Sequence, residues 1–204
     1  IQSSSLVSVI AIAAAAMGLH HSLAEAHFAE GIIKFAAVFF SIWWAWMNFT
    51  WFASAYDNDD AYFRILTMIV MSGALVMASG INIFFMGFII MRLAMVVFWL
   101  RAAWYDKTHR KAALRYAGGI SLAQIFWSTI LLLQPLDNIY LYTLITIGAL
   151  IELLVPVIAE RHTSTTWHRH HIIERYGLLN IIVLGETLLA GSMAINRAMS
   201  KHFD

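Results

Sequence analysis

The sequence predicts an all-α fold, a polytopic integral membrane helix bundle of about seven transmembrane helices, and three observations lead there. The chain of 204 residues is 61% hydrophobic and only 12% charged, with a mean hydropathy of +0.72. That leaves too little polar surface to cover a water-soluble globule of this size. Apolar runs of about 17 to 25 residues recur between short polar breaks, each long enough to cross a hydrocarbon core roughly 30 Å thick at ~1.5 Å per residue. Finally, Glu174 and Glu186 lie in a stretch, residues 174–190, that is otherwise apolar enough to span a membrane. Acidic groups in such a place are rare unless they pair, lose their charge or face water.

The spans fall at about 4–20, 31–55, 62–80, 83–104, 113–133, 139–159 and 172–194, with ends uncertain by roughly 2–4 residues. The first is bordered at its outer end by His20, His21 and His27. The second carries Trp43, Trp44 and Trp46 near its middle, with Phe39, Phe40, Phe49 and Trp51 around them. Tryptophan ordinarily gathers at the headgroups, so some of these rings are expected to face other helices, or a cavity in which they could stack on a ligand. Before the third span come Asp57, Asn58, Asp59 and Asp60, one of which is expected to cap that helix. The third and fourth spans meet at Gly80, Ile81 and Asn82, a turn so short that they must be antiparallel neighbours. The fourth holds Arg92, the fifth Gln124, the sixth Glu152 and Pro156, and the seventh Asn180 with its two glutamates. Asn82, Gln124 and Asn180 are expected to hydrogen-bond between helices, and Ala74 with Ala78, and Gly177 with Gly185, to let backbones approach.

Orientation follows from the loops. Arg101, Lys107, Arg110, Lys111 and Arg115 crowd the fourth-to-fifth connection, and Arg161, Arg169 and Arg175 the sixth-to-seventh. Cationic loops stay in the cytoplasm, which puts the N-terminus inside and the C-terminus outside, where Arg197 and Lys201 fit less well. The expected location is a bacterial inner membrane, crossed several times. The chain starts at Ile1 rather than Met and lacks a cationic leader, so it is expected to be a processed or truncated product without a cleavable signal.

Depth singles out three side chains. At ~1.5 Å per residue, Arg92 lies about 13 Å, Glu186 about 12 Å and Glu152 about 18 Å from the outer ends of their helices. One Arg and two carboxylates in one layer would carry a net negative charge that a proton or a cation could balance, the makings of a coupled ion site. Pro156 has no N–H, which leaves the Glu152 carbonyl without its usual helical donor. The competing reading is a static buried pair that only fixes helix packing.

Other chemistries find little support. The chain has no Cys, which excludes disulfides and thiolate sites. A net charge of +1 makes no case for nucleic acid. His162, His168, His170 and His171 read as part of a cationic loop rather than a zinc site, and Asp57, Asp59 and Asp60 do not match a calcium loop. No metal site and no catalytic residue is expected. There is no Ser-His-Asp grouping, phosphate loop or dinucleotide fingerprint, so the chain does not read as an enzyme of the soluble type, although Glu152 or Glu186 in a dry site leaves intramembrane acid–base chemistry open. The seventh span has no Lys in its apolar core to bind retinal. Cofactors remain unidentified.

Several of these features together resemble the bacterial low temperature requirement protein A family. They are Trp43 to Thr50 followed by Asp57 to Asp60, Met91-Arg92-Leu93 followed by Leu100-Arg101-Ala102, Glu152 before Pro156, and the segment from Glu174 to Glu186. The resemblance runs in order through most of the chain. Members of that family open with a Glu-Leu-Phe-Phe-Asp type of first helix, where Ile1-Gln2-Ser3-Ser4-Ser5 stands here, so no first-helix carboxylate is carried over. The resemblance also implies several more helices beyond the point where this chain stops. Residues 1–204 then form one transmembrane domain, and the Glu174-Arg175-Tyr176-Gly177 segment resembles the family's first-helix motif. Residues from about 172 to 204 are thus either the first helix of a parallel second repeat or a chance likeness between short apolar motifs.

The family takes its name from a growth phenotype, so two functions stay in view. The first is a transporter-like protein in which Arg92, Glu152, Glu174 and Glu186 are the ion, proton or buried-pair candidates. The alternative is a non-catalytic accessory or binding subunit whose aromatic helix, with Trp43, Trp44 and Trp46, docks a larger membrane complex, a lipid or a pigment. Expected partners are the lipid bilayer and a membrane protein, either another kind or a second copy.

Overall fold

A computed structural model describes residues 28–56, 60–78, 81–133, 135, 137–161, 165 and 168–203. Its helices are α1 (Phe28–Ala55), α2 (Ala61–Ala78), α3 (Ile81–Tyr105), α4 (Arg110–Leu132), α5 (Asn138–Ala159) and α6 (Arg169–Phe203). No strand occurs among the described residues. The span expected at 4–20, with His20, His21 and His27, lies outside them, as do Asp57, Asp59 and His162. α1 to α6 correspond to the second to seventh expected spans. Each helix overruns its apolar run at one end or both, α6 most of all, reaching Phe203. Backbone hydrogen bonding carries a helix past the residues that are apolar enough for hydrocarbon, whereas hydropathy registers only the latter. Among the described residues, Phe85–Tyr105 and Ile139–Ala159 are long and apolar enough to cross a membrane, and Ala61–Met77 is a shorter apolar helix.

The helices pack in series. α2 lies on α3, α3 on α4 and α4 on α5, while α1 packs against α3 and α6. The α2–α3 contact is the tightest because two glycines face each other across it. A Cβ on Gly73 would sit 2.6 Å from Met91 Cγ, and one on Gly87 would sit 2.5 Å from the Gly73 carbonyl oxygen. Backbones approach this closely only without side chains between them. At Gly177 and Gly185 no described residue comes within 4 Å of where a Cβ would go, so the close approaches expected there are not made among the described residues. Ala74 is buried in the core, and the side chain of Ala78 lies outside the described residues.

Aromatic rings fill the space among α1 to α4. Phe52 meets both Phe98 and Trp99 with ring centroids 4.9 Å apart, Phe63 meets Phe98 at 5.3 Å, and Trp99 stacks on Tyr116 at 4.0 Å. A smaller cluster joins α1 to α6, where Trp46 packs edge-on against Tyr176 at 5.2 Å and also touches Leu179. The outer surface stays apolar. Only 17% of the Ile139–Ala159 window is buried, and Leu150, Leu153, Leu154, Val157 and Ile158 are exposed. Water does not tolerate a continuous apolar face of that kind, and lipid does.

Polar contacts gather at one end of the bundle. Asp60 is the expected cap: its Oδ1 accepts the Phe63 N–H at 2.8 Å at the start of α2. The same carboxylate takes both Arg101 Nη groups, Nη1 at 3.0 Å, tying the start of α2 to the end of α3. Asp106 Oδ1 accepts the N–H groups of Thr108 at 3.0 Å and His109 at 3.1 Å, and Oδ2 meets the His109 ring at 2.8 Å and the Tyr56 hydroxyl at 3.2 Å. Ser54 Oγ donates to the His168 carbonyl at 3.3 Å and accepts its N–H at 3.1 Å, and Glu160 Oε1 accepts Tyr116 at 2.9 Å and Thr165 at 2.8 Å. These links bring both cationic loops and the α1–α2 connection to the same end.

The Arg101 guanidinium and the Phe63 N–H hold the Asp60 carboxyl below its ordinary 3.8. Partial burial pushes Asp106 up, but the backbone and ring of His109 and the Tyr56 hydroxyl outweigh it, and Asp106 also lies below 3.8. Both carboxylates therefore contribute stability that is fully present above the unfolded value and lost as pH falls through the folded one. The melting temperature in detergent should be flat from about pH 7 to pH 5 and should fall below about pH 4. In the Asp60→Asn, Asp106→Asn double variant that acid fall should be shallower; an unchanged slope would assign it to other groups. Gly87→Leu should lower the melting temperature in line with an overpacking cost of roughly 1–3 kcal/mol, whereas Gly177→Ala should leave it equal or slightly higher.

Candidate functional site

The buried charge sits where four helices meet. Arg92 lies on α3 with 1% of its surface exposed and Glu152 on α5 with 3%, and Arg92 Nη2 donates to Glu152 Oε2 in a buried ion pair. The same Oε2 accepts the Trp44 Nε1–H from α1 at 3.0 Å, and Oε1 accepts the Trp127 Nε1–H from α4 at 3.3 Å. A single carboxylate thus collects donors from three neighbouring helices. Its own helix is weakened at that level, because Pro156 lies inside α5 four residues on and cannot donate to the Glu152 carbonyl. No other charged side chain of the described residues bonds to Glu152.

The arginine is less well served than the carboxylate. Phe88, one turn back on α3, places its ring centroid 5.5 Å from Arg92 Cζ, a favourable cation–π contact. Arg92 Nε and Nη1 are nevertheless buried without a hydrogen-bond partner among the described residues, as is Gln124 Oε1 on α4. Gln124 is expected to bond between helices; its carbonyl oxygen has no donor among the described residues. Asn180 is exposed, and the side chain of Asn82 lies outside the described residues.

The remaining sequence candidates are placed differently. Glu174 is exposed on the second turn of α6; its neighbour Arg175 donates to the Thr50 carbonyl at 3.0 Å. Glu186 lies on α6, but its side chain is outside the described residues. Among the tryptophans, Trp44 bonds to Glu152 and stacks on Phe40 at 5.8 Å, Trp46 packs on Tyr176, and Trp43 is partly buried against the same α1–α6 cluster. His168 and His171 have ring centroids 5.5 Å apart, and no group of three or more metal-type side chains occurs among the described residues. A cleft of about 210 Å³ opens at the charged end, lined by Phe52, Tyr56, Phe98, Arg101 and Asp106, roughly 13 Å along α3 from Arg92 at ~1.5 Å per residue.

Trp127 was missed by sequence reasoning. Its signal was present, a tryptophan well inside the 113–133 run rather than at its edge, the same anomaly that drew attention to Trp43, Trp44 and Trp46.

Removing one member of a buried pair leaves the other uncompensated, at a cost of roughly 3–5 kcal/mol, while replacing both with apolar residues is often neutral. Arg92→Met and Glu152→Leu should each lower the melting temperature sharply, and the double variant should recover much of the loss. Trp44→Phe should cost about 0.5–2 kcal/mol for its single hydrogen bond. Additive losses in the double variant would mean that the two charges do not interact.

With this geometry in place, the relationships of the chain are informative. A curated relative, an uncharacterized protein of Rhizobium meliloti (strain 1021), is 28% identical over 186 residues, which cover 84% of this chain and 45% of the relative. The chain therefore spans about half the length of that relative. No solved structure matches. Residues 5–203 match the family model described as bacterial low temperature requirement A protein, and the chain, with Arg92, Glu152 and the tryptophans of α1 inside that match, belongs to the LtrA family.

Proposed function

We propose that the chain is a transporter-like protein that crosses a bacterial inner membrane about seven times, with its N-terminus in the cytoplasm, and that couples a proton to the movement of a small solute through Arg92 and Glu152. The observation that carries this reading is the ion pair itself, an Arg and a Glu almost fully buried in a bundle whose outer faces are apolar. Ionisable groups at such a depth are costly and are most often kept for ion or proton pathways. The cationic loops meeting at one end support the orientation. As described, the pair is neutral, so the coupling charge comes from its opening: a Glu152 that loses its cation inside hydrocarbon holds a proton rather than a bare charge. Glu186 is the second candidate for proton transfer, by its position on α6.

A second reading has its own observation. Glu152 has both oxygens engaged by donors from three helices, as a static pin would, and the α5 face outside it is apolar and exposed. On that reading the chain is an accessory subunit that docks a larger membrane complex, and the pair only fixes its shape.

Proteoliposomes containing a pH-sensitive dye separate the two. With acetate, glycine, glucose or potassium supplied on one side, the transport reading expects solute-dependent proton movement that falls at least tenfold in Glu152→Gln while the protein still folds. Undiminished proton movement in that variant, or none from the native protein with any of the four solutes, would remove the transport reading and leave the accessory role.

A further inference from the structure

We infer that the solute site is Arg92 and that it takes a small carboxylate, which competes with Glu152 for the guanidinium. This rests on the transport reading above and adds the substrate class. Three observations support it. Arg92 is buried to 1% exposure, yet Nε and Nη1 have no acceptor among the described residues. A buried charged donor left unmade is expensive, so the guanidinium has both the capacity and the drive to accept another oxygen. Glu152 bonds to the guanidinium through Nη2 alone, where a carboxylate aligned with the planar edge would take two donors. A bidentate anion therefore outcompetes a monodentate one for the same arginine. Glu152 also has other partners when displaced, since Trp44 and Trp127 donate to its two oxygens, bonds that a neutral carboxylic acid can still accept.

Charge decides the ligand. A cation would meet Arg92 and gain nothing from a carboxylate already paired, whereas an anion is opposed, among the described residues, only by Glu152. Among the described residues the helices packed at this point present Arg92 from α3, Trp44 from α1 and Trp127 from α4, with no further acidic group bonded there. The exchange balances: the ion pair plus one proton plus one carboxylate anion becomes an arginine–solute pair plus protonated Glu152, with no change in net charge. Solute and proton then bind together, and entry of the anion is favoured by low pH.

The test uses purified chain in nanodiscs, with intrinsic tryptophan fluorescence as the readout because Trp44 and Trp127 report on Glu152. Sodium acetate is titrated against acetamide and against sodium chloride at equal ionic strength. The expected result is a saturable response to acetate alone, stronger at pH 6 than at pH 8, absent in Arg92→Gln. Glu152→Gln removes the competitor and should bind acetate at least tenfold more tightly, with the pH dependence lost. Should Glu152→Gln fail to fold, Trp127→Phe, which loosens Glu152 while keeping the pair, should tighten binding by a smaller factor. No saturable response to acetate in the native protein and in whichever of these variants folds, or an equal response to chloride, overturns the inference. Proton movement driven by glucose or potassium but by neither acetate nor glycine would leave transport standing and remove the carboxylate. Saturable acetate binding without proton movement for any solute would do the reverse.

Discussion

The ion pair between Arg92 and Glu152 is the contact on which the arrangement of the helices depends. Moving two charges out of water costs several kcal/mol for each, and their attraction compensates only when the remaining hydrogen-bonding capacity is also used. Glu152 meets that condition by gathering donors from α1, α3 and α4. Those helices must converge on α5 at one level, and each is thereby fixed in both rotation and depth. Apolar packing alone would not do this in lipid, where a leucine gains little by exchanging one hydrocarbon neighbour for another. The arginine is the less satisfied partner, with Nε and Nη1 buried and without an acceptor among the described residues.

Around that point the bundle uses two other devices. Close approach of α2 and α3 is permitted by Gly73 and Gly87 lying opposite each other, and the wider gaps between α1, α3 and α4 are filled by Phe49, Phe52, Phe98, Trp99 and Tyr116. At the charged end, Asp60 and Asp106 each combine a backbone turn with a side-chain partner on another element. A helix start and an interhelical link are then made by one carboxylate, so the local and the tertiary structure there form together.

Much of this was legible before any coordinates. The helices are visible because apolar runs of a definite length mark them, and α1 to α6 fall on the expected runs from the second to the seventh; among the described residues Phe85–Tyr105 and Ile139–Ala159 are long and apolar enough to cross a membrane. Arg92 and Glu152 stand out as polar residues in apolar sequence, and a rough count of depth puts them, with Glu186, in one layer without saying which of the three meet. The glycines illustrate the limit. Gly177 and Gly185 looked like a packing face by their spacing, while Gly73 and Gly87, on different helices, carry the contact; spacing along one helix says nothing about which side has a neighbour. Gln124 makes a similar point, since a polar residue in an apolar run signals a need for a partner without saying how a donor on the facing helix is aimed, and its carbonyl oxygen has none among the described residues.

By itself the sequence determined the all-α class, the order and approximate length of the helices and the end at which positive charge gathers, because each depends on composition and on local periodicity; membership of the LtrA family rests on motifs matched in order along residues 5–203. Only the tertiary structure decided that Trp44 and Trp127 hold the two oxygens of Glu152, that Glu174 is exposed, and that two donors of Arg92 are left over among the described residues. Those facts depend on helix rotation. A turn of about 100° per residue separates facing from averted side chains, and rotation is set by the sum of contacts made by residues far apart in the chain.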